Sequence, residues 1–132
     1  MESLKIAFQG FTYLEEDMAK TIKEMALEIA GLMEDGKGQD VTVLDVSKLN
    51  SWTDFFIIVT ITSGPHWQGL YKTVKDYVKG SDLEIHQTHN KGPHGDEWNL
   101  IDLGPVVVHL MSQEARDFYE LEKLWHAGEK IK

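Results

Sequence analysis

The sequence predicts one α/β domain in which helices flank a mixed sheet of five strands. Its 132 residues are the usual size of a single domain. The segment FFIIVTIT at residues 55–62 is apolar on both of its faces, as expected for a central strand that is covered on both sides. Around it, the apolar residues switch between the helical period and the strand period. The predicted order of elements is α-β-β-α-β-β-β-α.

The first helix is predicted from a cap and an apolar stripe. Residues 1–11 show no clear period and are predicted to be a loose leader. The letters TYLE, which begin at Thr12, have the form of a capping box, and Gly36 and Gly38 are expected to end the helix. Between these signals, apolar residues recur at spacings of three and four: Met18, Ile22, Met25, Ala26, Ile29 and Met33.

Two strands then lead to a second helix. The letters VTVLDVSKL alternate in the manner of a strand, SWTD is a turn, and the apolar run at residues 55–62 is the next strand. Pro65 suits the first turn of a helix because its missing N–H is not needed there. Gly80 is expected to end this helix. Its apolar face consists of Trp67, Leu70, Tyr71, Val74 and Val78.

The C-terminal half predicts an edge strand, a hairpin and a last helix. The letters LEIHQTH are only weakly apolar, which favours a strand near a sheet edge, and NKGPHGDE is a loop. Gly104 and Pro105 separate WNLIDLG from VVVHLM and indicate a tight turn between two strands. Ser112 can cap the last helix, and HAGEKIK is predicted to be a fraying tail. The apolar residues of that helix are Ala115, Phe118, Leu121, Leu124 and Trp125.

Composition narrows the class of partner. The formal net charge is −9, so the chain is not expected to hold a nucleic-acid backbone across a broad face, which needs clustered Lys and Arg. The same charge favours fast association with a basic partner. The chain has no Cys, which excludes disulfides and thiolate metal sites. Neither a signal peptide nor a membrane span is recognisable, so a cytoplasmic location is predicted.

The histidines raise the question of a metal site. The letters HQTHNKGPH bring His86, His89 and His94 close together in the sequence. However, residues three apart on a strand point to opposite faces, and zinc needs three or four converging ligands. An exposed polar strand and loop is therefore favoured, and no metal is expected. His109, within VVVHLM, is predicted to be a hydrogen-bonded or half-buried structural residue, and His66 to be a helix cap or a surface residue.

Three aspartates are the candidates for catalysis. Asp45, Asp54 and Asp102 lie in or beside predicted strands, and a Mg²⁺-dependent nucleotidyl transferase needs converging carboxylates. Such enzymes usually carry a close Asp-x-Asp pair beside a Gly-Ser phosphate loop, and neither is present. Aspartates at strand ends more often accept hydrogen bonds from turn amides. We therefore predict no catalytic residue and no cofactor, with a degenerate nucleotidyl transferase as the alternative.

The stretch WNLIDLGPVVVHLMSQEARDFYELEKLW, residues 98–125, is rich in both aromatic and charged side chains. The charged residues of its last part suit an amphipathic helix whose charged face is solvated. Aromatic residues with an arginine beside them are also preferred at the centres of protein–protein interfaces. The residue types alone leave both interpretations open.

At these residues the chain resembles the bacterial ribosomal silencing factors, also called Iojap-like or YbeB-like proteins. The similarity rests on the joint order and spacing of VLDVSKLNSWTDFFIIVTITS and WNLIDLGPVVVHLMSQEARDFYELEKLW. Each motif alone is weak, but the two in this order are specific. The resemblance divides the chain into a leader with the helix start, the silencing-factor domain and a tail, at residues 1–16, 17–126 and 127–132.

The resemblance implies a fold related to nucleotidyl transferases without their catalytic carboxylates. It also implies a function by occlusion. Members of the family bind the large (50S) ribosomal subunit through its protein number fourteen, which blocks association with the 30S subunit and represses translation under nutrient limitation. Ribosomal proteins are usually basic, which suits an acidic factor. No main contact with nucleic acid and no contact with a membrane are expected.

The partner-facing signature of the family carries over by position onto one strand and one helix. The strand motif W-x-x-x-D-x-G and the helix motif R-x-F-Y-x-L-E-x-L-W select Trp98, Leu100, Asp102, Arg116, Tyr119, Glu122 and Trp125. We expect Trp98 and Tyr119 to be aromatic anchors, and Arg116 and Glu122 to form a structural or an interfacial ion pair. Trp125 is alternatively a core residue. Relatives are often dimers, so homodimerisation through the same apolar face is a further hypothesis.

Overall fold

The computed structural model describes residues 20–90 and 97–132, which form one mixed sheet with helices on both of its faces. The strand order is β3-β4-β5-β2-β1-β6. Among these strands only β2 and β5 run parallel. In chain order the elements are α1 (Ile22–Asp35), β1 (Gln39–Asp45), β2 (Phe55–Ile61), α2 (Gly64–Lys79), β3 (Gln87–Asn90), β4 (Trp98–Asp102), β5 (Val106–Ser112), α3 (Gln113–Tyr119), α4 (Leu121–Leu124) and β6 (Glu129–Lys130).

The parallel pair β2–β5 forms the centre of the sheet. Every residue of β2 is buried, which confirms the central strand predicted from its continuous apolar run. The pairing runs from Phe55 opposite Val106 to Ile61 opposite Ser112. A strand in this position must be covered on both faces, and the chain covers the two faces differently.

One face of the sheet, here called the helical face, packs against the long helices α1 and α2. Successive strand residues point to opposite faces, so the helical face receives alternate apolar residues: Val43, Phe55, Ile57, Val59, Ile61, Val106, Val108 and Leu110. The opposite face, here called the aromatic face, packs against α3 and α4, which have only seven and four residues. It carries Leu44, Phe56, Ile58, Val107 and Met111.

Helix α1 begins later than the sequence predicted. Its cap is Thr21, whose side chain accepts from the Glu24 amide while Glu24 bonds back to the Thr21 amide. Thr21 has an extended backbone and the helix starts at Ile22. The predicted capping box at Thr12 lies outside the described residues. Its end at Gly36 is confirmed. His66 ties this end to α2, because its Nε2 lies 2.9 Å from the Gly36 carbonyl oxygen.

Helix α2 and the following hairpin follow the prediction closely. Ser63 caps α2, Pro65 lies in its first turn and Gly80 ends it. Strands β4 and β5 pair antiparallel around Gly104 and Pro105. Strand β3 is at a sheet edge as predicted, but it begins only at Gln87. No helix in the described part of the chain is long and apolar enough to cross a membrane.

Two predictions for the C-terminal region were wrong. The last helix is not continuous, because Glu120 adopts a left-handed conformation with φ 48° and separates α3 from α4. The tail is not frayed, because Glu129 and Lys130 form β6 against β1 and give the sheet a sixth strand. The tail is ordered because its backbone hydrogen-bonds to β1: the Ile131 amide donates to the Val43 carbonyl. A two-residue strand with charged side chains leaves no apolar period to detect.

Candidate functional site

Trp98 is held in one orientation on the aromatic face. Its indole Nε1–H donates to Nδ1 of His109 at 3.1 Å, and its ring centroid lies 4.6 Å from that of Tyr119. Because the indole nitrogen can only donate, Nδ1 of His109 acts as the acceptor, which places the proton of the neutral imidazole on Nε2. His109 is buried, and its predicted role as a hydrogen-bonded structural histidine is confirmed. The predicted anchors Trp98 and Tyr119 therefore lie in contact.

A continuous series of aromatic rings crosses this face. Phe56 packs edge-on against His109, with ring centroids 4.8 Å apart, and edge-on against Trp125 at 5.0 Å. The ring centroid of Trp52 lies 5.9 Å from that of Phe56. Edge-to-face and tilted pairs at these separations are stabilising. We call the rings of Phe56, His109, Trp125, Trp98 and Tyr119 the aromatic surface, and Trp52 adjoins it.

Arg116 is a buried structural residue that fastens the α3–α4 corner to the sheet. Only 8% of it is exposed. Its guanidinium donates to Thr60 Oγ1 at 2.9 Å and to Thr42 Oγ1 at 3.0 Å. It also donates to both carboxylate oxygens of Glu122, at 3.4 and 2.5 Å. Of the two predicted alternatives for this ion pair, the geometry favours the structural one, because four of the five N–H groups of the arginine are used within the chain.

The charge of Glu122 depends on Arg116. Burial raises the pKa of Glu122, but the hydrogen bond and the positive charge of Arg116 outweigh it and bring the pKa below its ordinary value of 4.5. The carboxylate is therefore ionised at neutral pH. Since the side chain of Glu122 remains 38% exposed, it also lines the surface beside the corner.

Leu100 and Asp102 extend the aromatic surface toward the end of β4. Both are partly exposed and alternate with the buried Asn99 and Ile101, so they share the face of Trp98. Asp102 Oδ1 accepts from the Gly104 amide at 2.8 Å. Gly104 has φ 89°, a conformation that favours glycine. Asp102 thus stabilises the β4–β5 turn and places a carboxylate at the edge of the surface.

Trp125 packs into the aromatic face rather than standing clear of it. It is half-buried against the core cluster that contains Phe56. Trp125 caps the end of α4, where its backbone N–H donates to the Leu121 carbonyl oxygen. Trp125 is therefore partly a core residue, as the alternative prediction had it, and the rest of its side chain remains at the surface.

Several exposed apolar residues were missed by the sequence reasoning. Phe118 and Leu124 were assigned to the apolar face of one helix, but they are 77% and 72% exposed. The break at Glu120 reorients α4, so that Leu121 is buried and Leu124 is exposed; Phe118 lies before the break, on the exposed side of α3. Trp52 was treated only as part of a turn. A tryptophan in a polar turn was the available signal.

The structure does not bring all three candidate catalytic aspartates, Asp45, Asp54 and Asp102, together at one site, because two of them lie on opposite faces of the sheet. Asp45 shares the helical face with Val43, whereas Asp102 lies on the aromatic face with Trp98 and Leu100. Strands β2 and β5 also separate them, which corresponds to roughly 14 Å. Asp45 accepts hydrogen bonds from the side chain and amide of Ser47, which lower its pKa. Asp45 and Asp102 therefore act as turn acceptors, as predicted.

The histidine trio is only partly described. The ring of His86 packs against Gly104: a Cβ added to that glycine would lie only 3.0 Å from His86 Nε2. His94 and the side chain of His89 lie outside the described residues. Within residues 20–90 and 97–132, no group of three His, Asp or Glu side chains is arranged to hold a metal ion.

A cleft with a volume of about 670 Å³ lies beside Arg116. Four acidic and four basic side chains line it: Asp40, Asp117, Glu120 and Glu122, with Arg116, Lys123, Lys130 and Lys132. Its charges balance, so it favours neither an anionic nor a cationic ligand. A smaller groove of about 360 Å³ lies on the aromatic side, between Phe118, Tyr119 and Leu124.

Comparison with known proteins identifies the family of this chain. The family model described as "Ribosomal silencing factor during starvation" matches residues 19–132. The chain belongs to this family. The relatives include the ribosomal silencing factor RsfS of Chromobacterium violaceum, which is 37% identical over 83% of this chain and 84% of the relative. That of Treponema pallidum is 35% identical, over 76% of this chain and 88% of the relative.

The similarity extends to plastid proteins and to solved structures. The chloroplastic protein Iojap of Arabidopsis thaliana is 35% identical over 76% of this chain, which spans 41% of the plant protein. The crystal structure of protein CV0518 from Chromobacterium violaceum has a TM-score of 0.71 and 35% identity, covering 86% of this chain and 92% of that one. A crystal structure from Bacillus halodurans has a TM-score of 0.64 and 31% identity, covering 80% and 95%. The mixed α/β fold is therefore that of the silencing-factor family.

Replacing Arg116 tests whether it holds the α3–α4 corner. Arg116→Met keeps much of the volume but leaves Glu122, Thr42 and Thr60 without their donor. We expect a loss of about 3 kcal/mol in the free energy of unfolding, measured by urea denaturation. Thr42→Val, which removes one hydrogen bond, should cost about 1 kcal/mol. A Met variant as stable as the wild type would contradict this role.

The lowered pKa of Glu122 predicts a pH-dependent contribution to stability. A carboxylate whose pKa is lower in the folded than in the unfolded state stabilises the fold above its unfolded pKa, and this contribution is lost as the pH falls through the folded pKa. The wild type should therefore be more stable than Glu122→Gln at pH 6 to 7, and the difference should shrink as the pH falls below 4.5. Urea unfolding at each pH measures it. A difference that stays constant with pH would argue against the ion pair.

Proposed function

We propose that this protein binds the large (50S) ribosomal subunit through the aromatic surface, with ribosomal protein number fourteen of that subunit as its partner. The bound protein sterically blocks association with the 30S subunit and so represses translation under nutrient limitation. The family membership supports a silencing role on the ribosome, and the family description ties that role to starvation. The observation that carries the proposal is the contact between Trp98 and Tyr119 on the less covered sheet face.

The aromatic surface has the composition of an interface centre. Interface hot spots are enriched in tryptophan, tyrosine and arginine and lie where partners exclude water. Trp98 and Tyr119 are partly exposed, and Phe118 beside them is mostly exposed. Their rings are oriented by His109 and by each other. Because these side chains are already ordered, binding loses little of their rotamer entropy.

The charge around this surface suits a basic partner. The segment that covers it, residues 113–124, carries four carboxylates and two cations. The buried Arg116 pairs with Glu122, so the exposed charged residues that remain in the segment are three carboxylates and one lysine. Opposite charges on two proteins accelerate their encounter and orient it. A ribosomal protein, which is usually basic, fits this surface better than an RNA backbone does.

The proposed roles differ among the signature residues. Trp98, Leu100 and Tyr119 contact the partner directly, with Trp125 at the margin. Asp102 presents a carboxylate at one edge while it stabilises the β4–β5 turn. Arg116 acts through Glu122 by holding the α3–α4 corner, and therefore Tyr119, in place.

Co-sedimentation with purified subunits tests the proposal. The wild type should sediment with 50S and not with 30S subunits, and should lower the yield of 70S particles when both are present. Trp98→Ala and Tyr119→Ala should each weaken binding to 50S at least tenfold, or about 1.4 kcal/mol, because truncated hot spots commonly cost more than this. Lys75→Ala, on the exposed side of α2, is the matched control and should bind as the wild type does.

The conservative variants separate contact from folding. Tyr119→Phe keeps the ring and should retain most of the affinity, while circular dichroism verifies that the alanine variants are folded. Absence of wild-type binding to 50S subunits would refute the proposal. Equal binding by the wild type and both alanine variants would move the site away from the aromatic surface.

A further inference from the structure

Trp52 is the most exposed of the four tryptophans, and the signature of the family does not include it. It lies in the loop between β1 and β2, and 57% of it is accessible to solvent. Leu49 in the same loop is also exposed. Large exposed apolar side chains that lie together commonly mark interaction sites.

The loop that carries Trp52 is ordered by its own hydrogen bonds. The side-chain oxygen of Asn50 accepts from the amides of Trp52 and Thr53 at 2.9 and 3.0 Å. Its side-chain nitrogen donates to the Val46 carbonyl at 2.9 Å, and the Leu49 amide donates to the same carbonyl. The indole is therefore presented on a preorganised turn, which reduces the entropy that binding would cost.

Trp52 is continuous with the aromatic surface. Its ring contacts Phe56, which in turn contacts His109, the residue that holds Trp98. Strands β1 and β4, which bound this series, are three strand spacings apart, or roughly 14 Å. A standard interface of about 800 Å² on each partner is roughly 30 Å across. One partner seated across this face can therefore span the distance from Trp98 and Tyr119 to Trp52.

We propose that Trp52, together with Leu49, is a second anchor for the same large-subunit protein that binds Trp98 and Tyr119. This inference rests on the proposed function and extends its docking site to the β1–β2 loop. The partner would meet a preorganised aromatic anchor at each side of its footprint, with Phe56 and His109 as the rigid floor between them.

Binding measurements with one loop variant and one matched control test this inference. Trp52→Ala should weaken binding to 50S subunits at least tenfold, and its thermal unfolding midpoint should stay close to that of the wild type because the indole is mostly exposed. Lys48→Ala, in the same loop, should bind as the wild type does. Trp98→Ala serves as the reference for the central anchor.

The outcomes separate the two proposals. If the wild type fails to bind 50S subunits, the proposed function fails and the second anchor fails with it. If Trp98→Ala weakens binding and Trp52→Ala does not, only the second anchor is refuted. If Trp52→Ala changes the sedimentation of the free protein from dimer to monomer without changing 50S binding, the loop is a self-association surface and the inference is also refuted.

Photo-crosslinking identifies the partner of the loop. The photoreactive residue p-benzoylphenylalanine is placed at position 52 and, separately, at position 119, and each variant is irradiated on purified 50S subunits. We expect both positions to capture the same ribosomal protein, and position 67, on the helical face, to capture neither that protein nor RNA. Capture of ribosomal RNA or of a different protein from position 52 would overturn the shared-partner proposal.

Discussion

The hydrogen bonds of Arg116 hold the aromatic face together. Its guanidinium reaches Thr42 on β1, Thr60 on β2 and Glu122 on α4, and thereby joins the sheet to a helical segment that turns sharply at Glu120. The left-handed conformation of a non-glycine residue is unfavourable and persists where its surroundings enforce it. We infer that the ion pair of the buried Arg116 with the partly exposed Glu122 supplies that enforcement. Tyr119 precedes this corner, so its contact with Trp98 depends on the same network.

The aromatic surface also follows from how the chain covers its sheet. Helices α1 and α2, with 14 and 16 residues, cover one face, while the broken α3–α4 segment covers the other only in part. Apolar side chains therefore remain at the surface where a partner can bury them. The cleft beside Arg116 has balanced charges, and two of the three candidate catalytic aspartates, Asp45 and Asp102, lie on opposite faces of the sheet.

The sequence predicts the elements that have a long apolar pattern and clear cap or turn residues at their ends. The apolar run of β2, Pro65 in the first turn of α2, the cap Ser112 and the turn at Gly104 all lie as predicted. Strand β6 was not predicted because it pairs through its backbone and has no apolar pattern. The break at Glu120 was not predicted because nothing in a glutamate side chain signals a positive φ. For the site, the resemblance to the family motifs was what assigned Trp98 and Tyr119 to one partner-facing surface. The burial of Arg116 and the exposure of Phe118 depend on tertiary packing that local periodicity cannot express.

Hydroxyl-radical footprinting of the protein, free and bound to 50S subunits, tests the central claim most directly. The four tryptophans provide an internal comparison, since Trp52, Trp98 and Trp125 belong to the aromatic face and Trp67 packs on the helical face. We predict that binding protects Trp52, Trp98 and Tyr119 from oxidation and leaves Trp67 unchanged. Protection of Trp67 without protection of Trp98 and Tyr119 would contradict the account.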